Sequence, residues 1–132
     1  MMKILIAEDD FTSRVFMEKF LSKYGECDVV IDGIQAIDSY MKSIEEGHIY
    51  DLICLDIMMP RLDGIKALKA IRDIEKQNGI EIDKKVKIIM TSALNDNNTV
   101  SKAYDIGCEG YVWKPIEIDA FIVIMRNIGL IV

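Results

Sequence analysis

Acidic, hydroxyl and basic side chains follow four of the short apolar runs in this sequence. The set comprises Glu8, Asp9, Asp10, Asp56, Thr91, Ser92 and Lys114. If the apolar runs are parallel strands, their carboxyl ends lie at one edge of a sheet and these side chains meet there. Carboxylates packed together repel one another, and Mg²⁺ bound through oxygen ligands would relieve that repulsion. The pattern therefore favours a divalent-cation site beside a hydroxyl and an ammonium group.

Such a site could transfer phosphoryl groups. A carboxylate beside Mg²⁺ and a lysine can attack a phosphorus atom and become an acyl phosphate. The metal and the ammonium group of Lys114 would neutralise charge on the phosphoryl oxygens. Taken singly, Asp10 fits a helix N-cap, Ser92 a turn and Lys114 a solvated surface. Asp56 has no such explanation, because it directly follows the unbroken apolar run 52–55.

Five strands separated by helices would position these side chains. Short runs rich in Ile, Val and Leu are typical of strands buried on both faces, and they predict strands over 3–7, 27–31, 52–55, 86–91 and 111–113. Strands that alternate with helices favour a parallel sheet with right-handed crossovers and helices on both faces. The sequence thus predicts an α/β fold with five strand–helix units.

Apolar stripes at helical spacing predict the five helices. Three stripes are Phe16, Phe20, Leu21 and Tyr24, closed by Gly25; Ile34, Ile37, Met41 and Ile44, closed by Gly47; and Ile65, Leu68 and Ile71, closed near Asn78-Gly79. The fourth helix, about Asn95 to Gly107, has the weakest stripe. The fifth begins near Glu117, with Ile118, Phe121, Ile122 and Met125 toward the sheet and Val123 and Ile124 turned partly outward.

Composition narrows the class of protein. The 132 residues fit one domain, and a net charge of -6 argues against direct nucleic-acid binding. We find neither a signal peptide nor an apolar run long enough for a membrane, so we expect the cytoplasm. Three widely spaced cysteines and one histidine, His48, are too few for a zinc site, and we expect the cysteines to be reduced, small apolar residues.

Four motifs in order, "ILIAEDD", "LDIMMPRLDG", "IIMTSA" and "YVWKP", carry a family resemblance. Over its whole length the sequence resembles the receiver domain of two-component response regulators. The resemblance implies a flavodoxin-like doubly wound fold with a five-stranded parallel sheet in the order 2-1-3-4-5. It also implies a single receiver domain over residues 1–132, with no output domain.

The resemblance assigns a role to each strand-end residue. Asp56 is implied as the phospho-acceptor, and Glu8, Asp9, Asp56 and the backbone carbonyl of Met58 as ligands of Mg²⁺ or Mn²⁺. Ser92 is implied as the switch hydroxyl, followed by the small Ala93, whereas Thr91 is structural unless the alignment shifts by one residue. Lys114 would pair with the phosphoryl group, its bond to Pro115 is usually cis in the family, and Tyr111 matches an aromatic switch position.

The implied function is a phosphorylation-activated signalling switch. It would accept its phosphoryl group from a histidine kinase or phosphotransfer protein and pass the signal to an unknown downstream protein through protein contacts. It would be no enzyme beyond self-phosphorylation and slow self-dephosphorylation. Met58 and Leu94 follow Asp56 and Ser92 by two residues, and their apolar side chains predict a long-lived phosphoryl group. The fourth helix, fifth strand and fifth helix could form a homodimer or partner surface.

Three other functions fit the sequence less well. A Mg²⁺-dependent phosphohydrolase with an aspartate nucleophile commonly carries D-x-D after its first strand and a larger cap, whereas this chain has E-D-D. A flavodoxin-like cofactor module needs a phosphate-binding loop after the first strand, where acids stand here and would repel phosphate. A receiver fold that accepts no phosphate would have lost key residues, and all of them are present.

Overall fold

The computed structural model describes residues 1–94 and 96–132, in which strands and helices alternate along the chain. The strands are β1 (Met2–Ala7), β2 (Gly25–Val30), β3 (Leu52–Asp56), β4 (Lys87–Ser92) and β5 (Gly110–Trp113). The helices are α1 (Phe11–Leu21), α2 (Gly33–Glu45), α3 (Gly64–Gln77), α4 (Asn97–Ile106) and α5 (Ile118–Asn127), with a 3₁₀ turn at Ile82–Lys84. Asn95, the predicted start of the fourth helix, lies outside the described residues.

The five strands form one parallel sheet in the order β2-β1-β3-β4-β5. This is the flavodoxin-like doubly wound fold that the resemblance implies, and the prediction is confirmed. In the register of the sheet Asp56 lies opposite Thr91, and Ser92 lies opposite Trp113. The carboxyl ends of β3, β4 and β5 are therefore level, and the polar residues after them share one edge.

A hydrophobic core lies on each face of the sheet. Residues of α2, α3 and α4 pack on one face, and residues of α1 and α5 pack on the other. β3 is buried along its whole length, and its side chains alternate between the two cores: Ile53 joins the first and Cys54 the second. Burial on both faces explains why this strand reads as an unbroken apolar run.

Four helices begin at an aspartate that caps them. The carboxylates of Asp10, Asp32, Asp63 and Asp96 accept hydrogen bonds of 2.7–2.9 Å from backbone N–H groups three residues later. This bond satisfies an N–H group that has no partner inside the helix. The cap interpretation of Asp10 is thus confirmed.

Two helix predictions need correction. Gly25 does not end the first helix, since α1 stops at Leu21 and Gly25 opens β2. A Cβ at Gly25 would lie 2.1 Å from the Met2 carbonyl oxygen, so the glycine permits the close approach of β2 to β1. Met41 is 43% exposed, because α2 instead buries Ala36 and Tyr40 against its neighbours.

The last helix buries fewer apolar side chains than its stripe predicts. Phe121 and Met125 are fully buried, as expected, whereas Ile118, which we expected to face the sheet, is 41% exposed. Val123 is 48% exposed, in agreement with its predicted outward position. None of the described helices combines the length and the apolar character needed to cross a membrane.

A buried charged cluster, which we call the Arg72 cluster (Arg72, Glu75 and Glu109), lies near the amino edge of the sheet. The Arg72 guanidinium contacts Glu75 at 2.8 Å and Glu109 at 2.7 Å, and it also donates to the carbonyl oxygens of Val86 and Gly107. Glu75 accepts further bonds from the Tyr40 hydroxyl and the Val86 N–H. The cluster ties α2, α3 and the starts of β4 and β5 together.

Candidate functional site

Three charged side chains meet at the carboxyl edge of the sheet. Glu8 follows β1, Asp56 ends β3, and Lys114 follows β5. The Lys114 ammonium lies 2.5 Å from Oε1 of Glu8 and 3.3 Å from Oδ2 of Asp56. Residues far apart in the sequence are brought together because β1, β3 and β5 end at the same edge, as the sequence predicts.

Glu8 is held rigidly although its charge is only partly compensated. The residue is 2% exposed, its N–H donates to the Val30 carbonyl oxygen, and its Oε2 accepts from the Asp10 N–H at 3.1 Å. Oε1 contacts the Lys114 ammonium in an ion pair at 2.5 Å. The same ammonium group also contacts Asp56, so two buried carboxylates share one positive charge, and a bound cation would add a second.

The surroundings of Asp56 shift the pKa of its carboxyl group strongly. Burial, assisted by the neighbouring Glu8 carboxylate, raises the pKa of Asp56 from 3.8 to about 7, and Lys114 opposes this rise only in part. Low dielectric and a like charge both disfavour the ionised carboxylate. A positive charge placed beside Asp56 would shift the balance back toward the carboxylate.

Lys114 stays an ammonium group at this edge. Burial by itself would lower the pKa of Lys114, but the carboxylates of Glu8 and Asp56 outweigh it and the pKa is raised. The backbone N–H of Lys114 donates to the Ser92 carbonyl oxygen at 2.8 Å, and the following bond to Pro115 is cis. The lysine is therefore a fixed positive charge next to Asp56.

Glu8, Asp9 and Asp56 form a group that we call the acidic cluster. One carboxylate oxygen from each lies within 4.8 Å of the others; Asp9 is exposed, and the other two are buried. The Arg14 guanidinium donates to the carbonyl oxygens of Glu8 and Asp9 and so fixes the loop. Three carboxylates, of which Asp9 is exposed to solvent, suit Mg²⁺, which prefers oxygen ligands and retains water.

Met58 lies in the loop after β3, where its backbone is available to the acidic cluster. In the described part of the chain its carbonyl oxygen accepts no backbone hydrogen bond, and its side chain is 61% exposed. Gly64 closes this loop: its N–H donates to the Ile57 carbonyl oxygen, and a Cβ there would lie 2.2 Å from the Asp56 carbonyl oxygen. The glycine allows α3 to begin directly behind Asp56.

Asp32 and Arg61 also support the loop after β3, and sequence reasoning does not identify either of them. Asp32 is 2% exposed and contacts the Arg61 guanidinium at 3.3 Å. Arg61 has a φ of 67°, a left-handed conformation that costs energy for a residue with a side chain. The available sequence clue is Asp32 itself, an acid after β2 at the same edge of the sheet.

Ser92, Leu94 and Tyr111 form a chain of hydrogen bonds beside Asp56. The Ser92 hydroxyl is buried and accepts from the Leu94 N–H at 2.9 Å, and the Tyr111 hydroxyl donates to the Leu94 carbonyl oxygen at 2.7 Å. Tyr111, the aromatic switch position that the resemblance implies, lies with its ring inward, since the residue is 7% exposed. Thr91 lies in the sheet, where its carbonyl oxygen accepts from the Ile57 N–H.

Comparisons with known proteins agree with this geometry. Residues 4–126 match the family described as "Response regulator receiver domain". A relative 36% identical over 115 residues is hybrid signal transduction histidine kinase I of Dictyostelium discoideum; the match covers 86% of this chain but 6% of that protein. This chain therefore spans only a small part of that relative.

Two solved structures share the fold at a TM-score of 0.80. One is the Saccharomyces cerevisiae phosphotransfer protein Ypd1 with the receiver domain of Ssk1, 31% identical, covering 95% of this chain and 87% of that one. The other is a CheX–CheY–BeF₃–Mg²⁺ complex from Borrelia burgdorferi, 26% identical, covering 96% and 88%. From the family match and the fold together, this chain belongs to the response regulator receiver domains of two-component signalling.

Proposed function

We propose that this chain is a phosphorylation-controlled switch in which Asp56 accepts the phosphoryl group. The observation that carries the proposal is the position of Asp56: it is 3% exposed, 3.3 Å from the Lys114 ammonium and within the acidic cluster. Such an arrangement stabilises the fold poorly, because three carboxylates face one ammonium group. It suits a site that binds a cation and a phosphoryl group.

We propose that the acidic cluster and the Met58 carbonyl hold Mg²⁺, or Mn²⁺ in its place. The bound cation would supply charge neutralisation for the phosphoryl oxygens. Glu8 and Asp56 support the assignment because both are buried with a carboxylate oxygen in the cluster. A neighbouring structure that contains Mg²⁺ and BeF₃ supports it as well.

In the proposed transfer, the ionised Asp56 carboxylate attacks the phosphorus atom, and the donor's leaving group departs with the electron pair. Lys114 pairs with a phosphoryl oxygen, since its ammonium group already lies 3.3 Å from Oδ2 of Asp56. The Ser92 hydroxyl donates to a second phosphoryl oxygen, and Ala93 leaves access to the group. A phosphoryl group adds about -1.5 to -2 charges at pH 7, enough to reorganise these contacts.

The hydrogen bonds beside Asp56 would transmit the structural change that phosphorylation causes. When Ser92 turns toward the phosphoryl group, its bond to the Leu94 N–H is exchanged, and the Leu94 carbonyl oxygen carries the change to Tyr111. α4 lies next along the chain and has a single fully buried side chain, Ala103. Weak packing lets this segment shift at little cost.

We propose that a histidine kinase or a histidine phosphotransfer protein donates the phosphoryl group in the cytoplasm. The structure of Ypd1 with the Ssk1 receiver domain supports this class of donor. The signal would leave through apolar side chains exposed on α4, β5 and α5, namely Tyr104, Trp113, Ile118 and Val123. Light scattering with and without BeF₃ distinguishes a second copy of the chain from a different protein as the partner.

The test is incubation with acetyl phosphate and Mg²⁺, followed by intact mass measurement. We expect one phosphoryl group on the wild type and none on Asp56→Asn. Asp38→Asn is the matched control, because Asp38 is an exposed aspartate on α2. Equal phosphorylation of the wild type and Asp56→Asn, or of neither, would contradict the proposal.

A further inference from the structure

A cavity of about 650 Å³ opens beside the acidic cluster, between the loop after β3 and α4. Asp9 and Met58 line it, and an Asp9 carboxylate oxygen lies within 4.8 Å of one from Asp56. The cavity therefore begins where a phosphoryl donor must approach Asp56. A second cavity, lined by Phe16 and Lys114, lies on the other side of the site and measures about 280 Å³.

Six of the residues that line the larger cavity are apolar. Apolar lining residues are Ile57, Met58, Met59, Pro60, Ile65 and Leu94. Met58 is 61% exposed and Leu94 is 38% exposed, so both side chains are available to a ligand. Methionine adapts its shape to ligands readily, because its side chain is unbranched and polarisable. Because the side chains of Met58 and Leu94 are apolar, neither can form a hydrogen bond to a polar leaving group.

The charged residues that line the cavity, which we call its rim, are Lys66, Lys102, Asp9 and Asp63. Lys66 on α3 and Lys102 on α4 line it, and both are exposed. Within the described ranges, neither lysine takes part in an ion pair. Each lysine attracts an anionic ligand, and the two aspartates oppose this attraction in part. The cavity thus combines a rim of mixed charge with apolar walls.

The chemistry of phosphoryl transfer explains why this space matters. The attacking and leaving oxygens lie on opposite sides of the phosphorus atom, so the leaving group points away from Asp56. The larger cavity offers the most room beside the site for that group. We infer that it is a leaving-group pocket that selects acyl phosphates with an apolar acyl chain over acetyl phosphate.

The inference rests on the proposed acceptor role of Asp56. A carboxylate oxygen of Asp56 forms a bond to phosphorus, the bond between phosphorus and the acyl oxygen breaks, and the carboxylate of the donor leaves with the electron pair. No proton is required, because both the attacking and the leaving groups are carboxylates. The acyl chain lies against Met58 and Leu94, and the lysines attract the dianionic phosphoryl group.

The experiment compares phosphorylation rates with acetyl, propionyl and butyryl phosphate, measured by intact mass at equal Mg²⁺. Butyryl phosphate has two more methylenes than acetyl phosphate to bury in part against the apolar walls, so it should react about three- to tenfold faster. Met58→Asn and Leu94→Asn should bring this ratio close to one. Met41→Asn, an exposed methionine on α2, is the control and should keep it.

Variants of the two lysines test the charged rim of the cavity separately from its apolar walls. Lys66→Gln and Lys102→Gln should slow all donors by the same factor and leave the ratio of butyryl to acetyl phosphate unchanged. The effect should shrink in high salt, because salt screens exposed charges. Lys42→Gln, an exposed lysine on α2, is the matched control. A ratio that falls with the lysine variants but not with Met58→Asn would overturn the apolar pocket.

A binding measurement provides a readout that does not depend on turnover. Asp56→Asn cannot be phosphorylated, and saturation-transfer NMR should detect the butyryl methyl group on this variant and lose it when Met58→Asn is added. Equal rates for all three donors, or a ratio lowered by Phe16→Ala instead, would overturn the inference and leave the acceptor role intact. Absence of phosphorylation by every donor would overturn both.

Discussion

The Arg72 cluster and the acidic cluster, at opposite edges of one sheet, differ in how completely their charges are partnered. In the Arg72 cluster one guanidinium donates to two carboxylates and two carbonyl oxygens, and Glu75 also accepts from Tyr40 and Val86. In the acidic cluster the Lys114 ammonium contacts two of the three carboxylates, those of Glu8 and Asp56, so one positive charge is set against three negative charges. The fully partnered charges of the Arg72 cluster stabilise the fold, whereas the excess negative charge of the acidic cluster fits its proposed role in binding a cation and a phosphoryl group.

The largest effect on stability should come from breaking the Arg72 cluster. Arg72→Met removes the cation that partners Glu75, a residue with a side chain 1% exposed, and should lower the free energy of unfolding by about 3–5 kcal/mol. Lys69→Met is the control on the same helix; its pair with Asp73 is exposed and contributes about 0.5 kcal/mol or less. Urea unfolding measures both. Equal costs for the two variants would show that the Arg72 cluster is not a structural tie.

Removing a charge from the acidic cluster should instead raise the free energy of unfolding. Asp56→Asn removes a buried like charge and should raise the free energy of unfolding of the metal-free protein by about 2 kcal/mol at pH 8. The raised pKa of Asp56, about 7 against 3.8, means that its ionisation destabilises the folded state as pH rises from about 4 to 7. The gain from Asp56→Asn should therefore be small at pH 4 and complete above pH 7. Urea unfolding in EDTA at several pH values tests this, and a gain that decreases with pH would contradict it.

A divalent cation should supply the partner that the acidic cluster lacks. Mg²⁺ should raise the melting temperature of the wild type, because a ligand that binds only the folded state stabilises it. Asp9→Asn should weaken Mg²⁺ binding about tenfold, and the control Asp38→Asn should leave it unchanged. Isothermal calorimetry measures both affinities. Unchanged binding by Asp9→Asn would remove Asp9 from the metal site.

A smaller effect should follow from the hydrogen bonds that connect the site to β5. Tyr111→Phe removes the bond to the Leu94 carbonyl oxygen, worth about 1 kcal/mol, and should speed amide exchange at residues 92–94. Tyr104→Phe is the control, because Tyr104 is 47% exposed. Exchange rates at 92–94 that respond equally to both variants would argue against a connection through Tyr111.

The smallest effect concerns the lifetime of the phosphoryl group. Met58→Asn combined with Leu94→Asn places two polar side chains where water must approach and should speed dephosphorylation about threefold, equivalent to about 0.7 kcal/mol. The decay of the phosphorylated mass after removal of the donor measures this rate. A lifetime that stays the same in the double variant would contradict the assignment of slow decay to these apolar residues.

The position of the acidic cluster could be predicted from the sequence, because its residues end a strand or directly follow one. Asp56 stands out after an apolar run, and parallel strands place Glu8 and Lys114 beside it without any further information. The Arg72 cluster could not be predicted in this way. Arg72 and Glu109 are 37 residues apart and follow no motif, and only the packing of α3 against the sheet brings them together.

One clue to the Arg72 cluster was present in the sequence. Glu75 continues the apolar stripe of Leu68 and Ile71 on α3, so a buried acid was foreseeable there although its partner was not. The same long-range packing explains the error at Met41. Tyr40 turns toward α3 to bond Glu75 and takes the buried position.

Chemical trapping of the acceptor tests the central claim most directly. After incubation with acetyl phosphate and Mg²⁺, borohydride reduces an aspartyl phosphate to homoserine, and peptide mass spectrometry locates the changed residue. We predict homoserine at position 56, and at no other carboxylate, in an amount that falls sharply when EDTA replaces Mg²⁺. Homoserine at Asp9 or another acid, or an unmodified peptide over 52–64, would contradict the account.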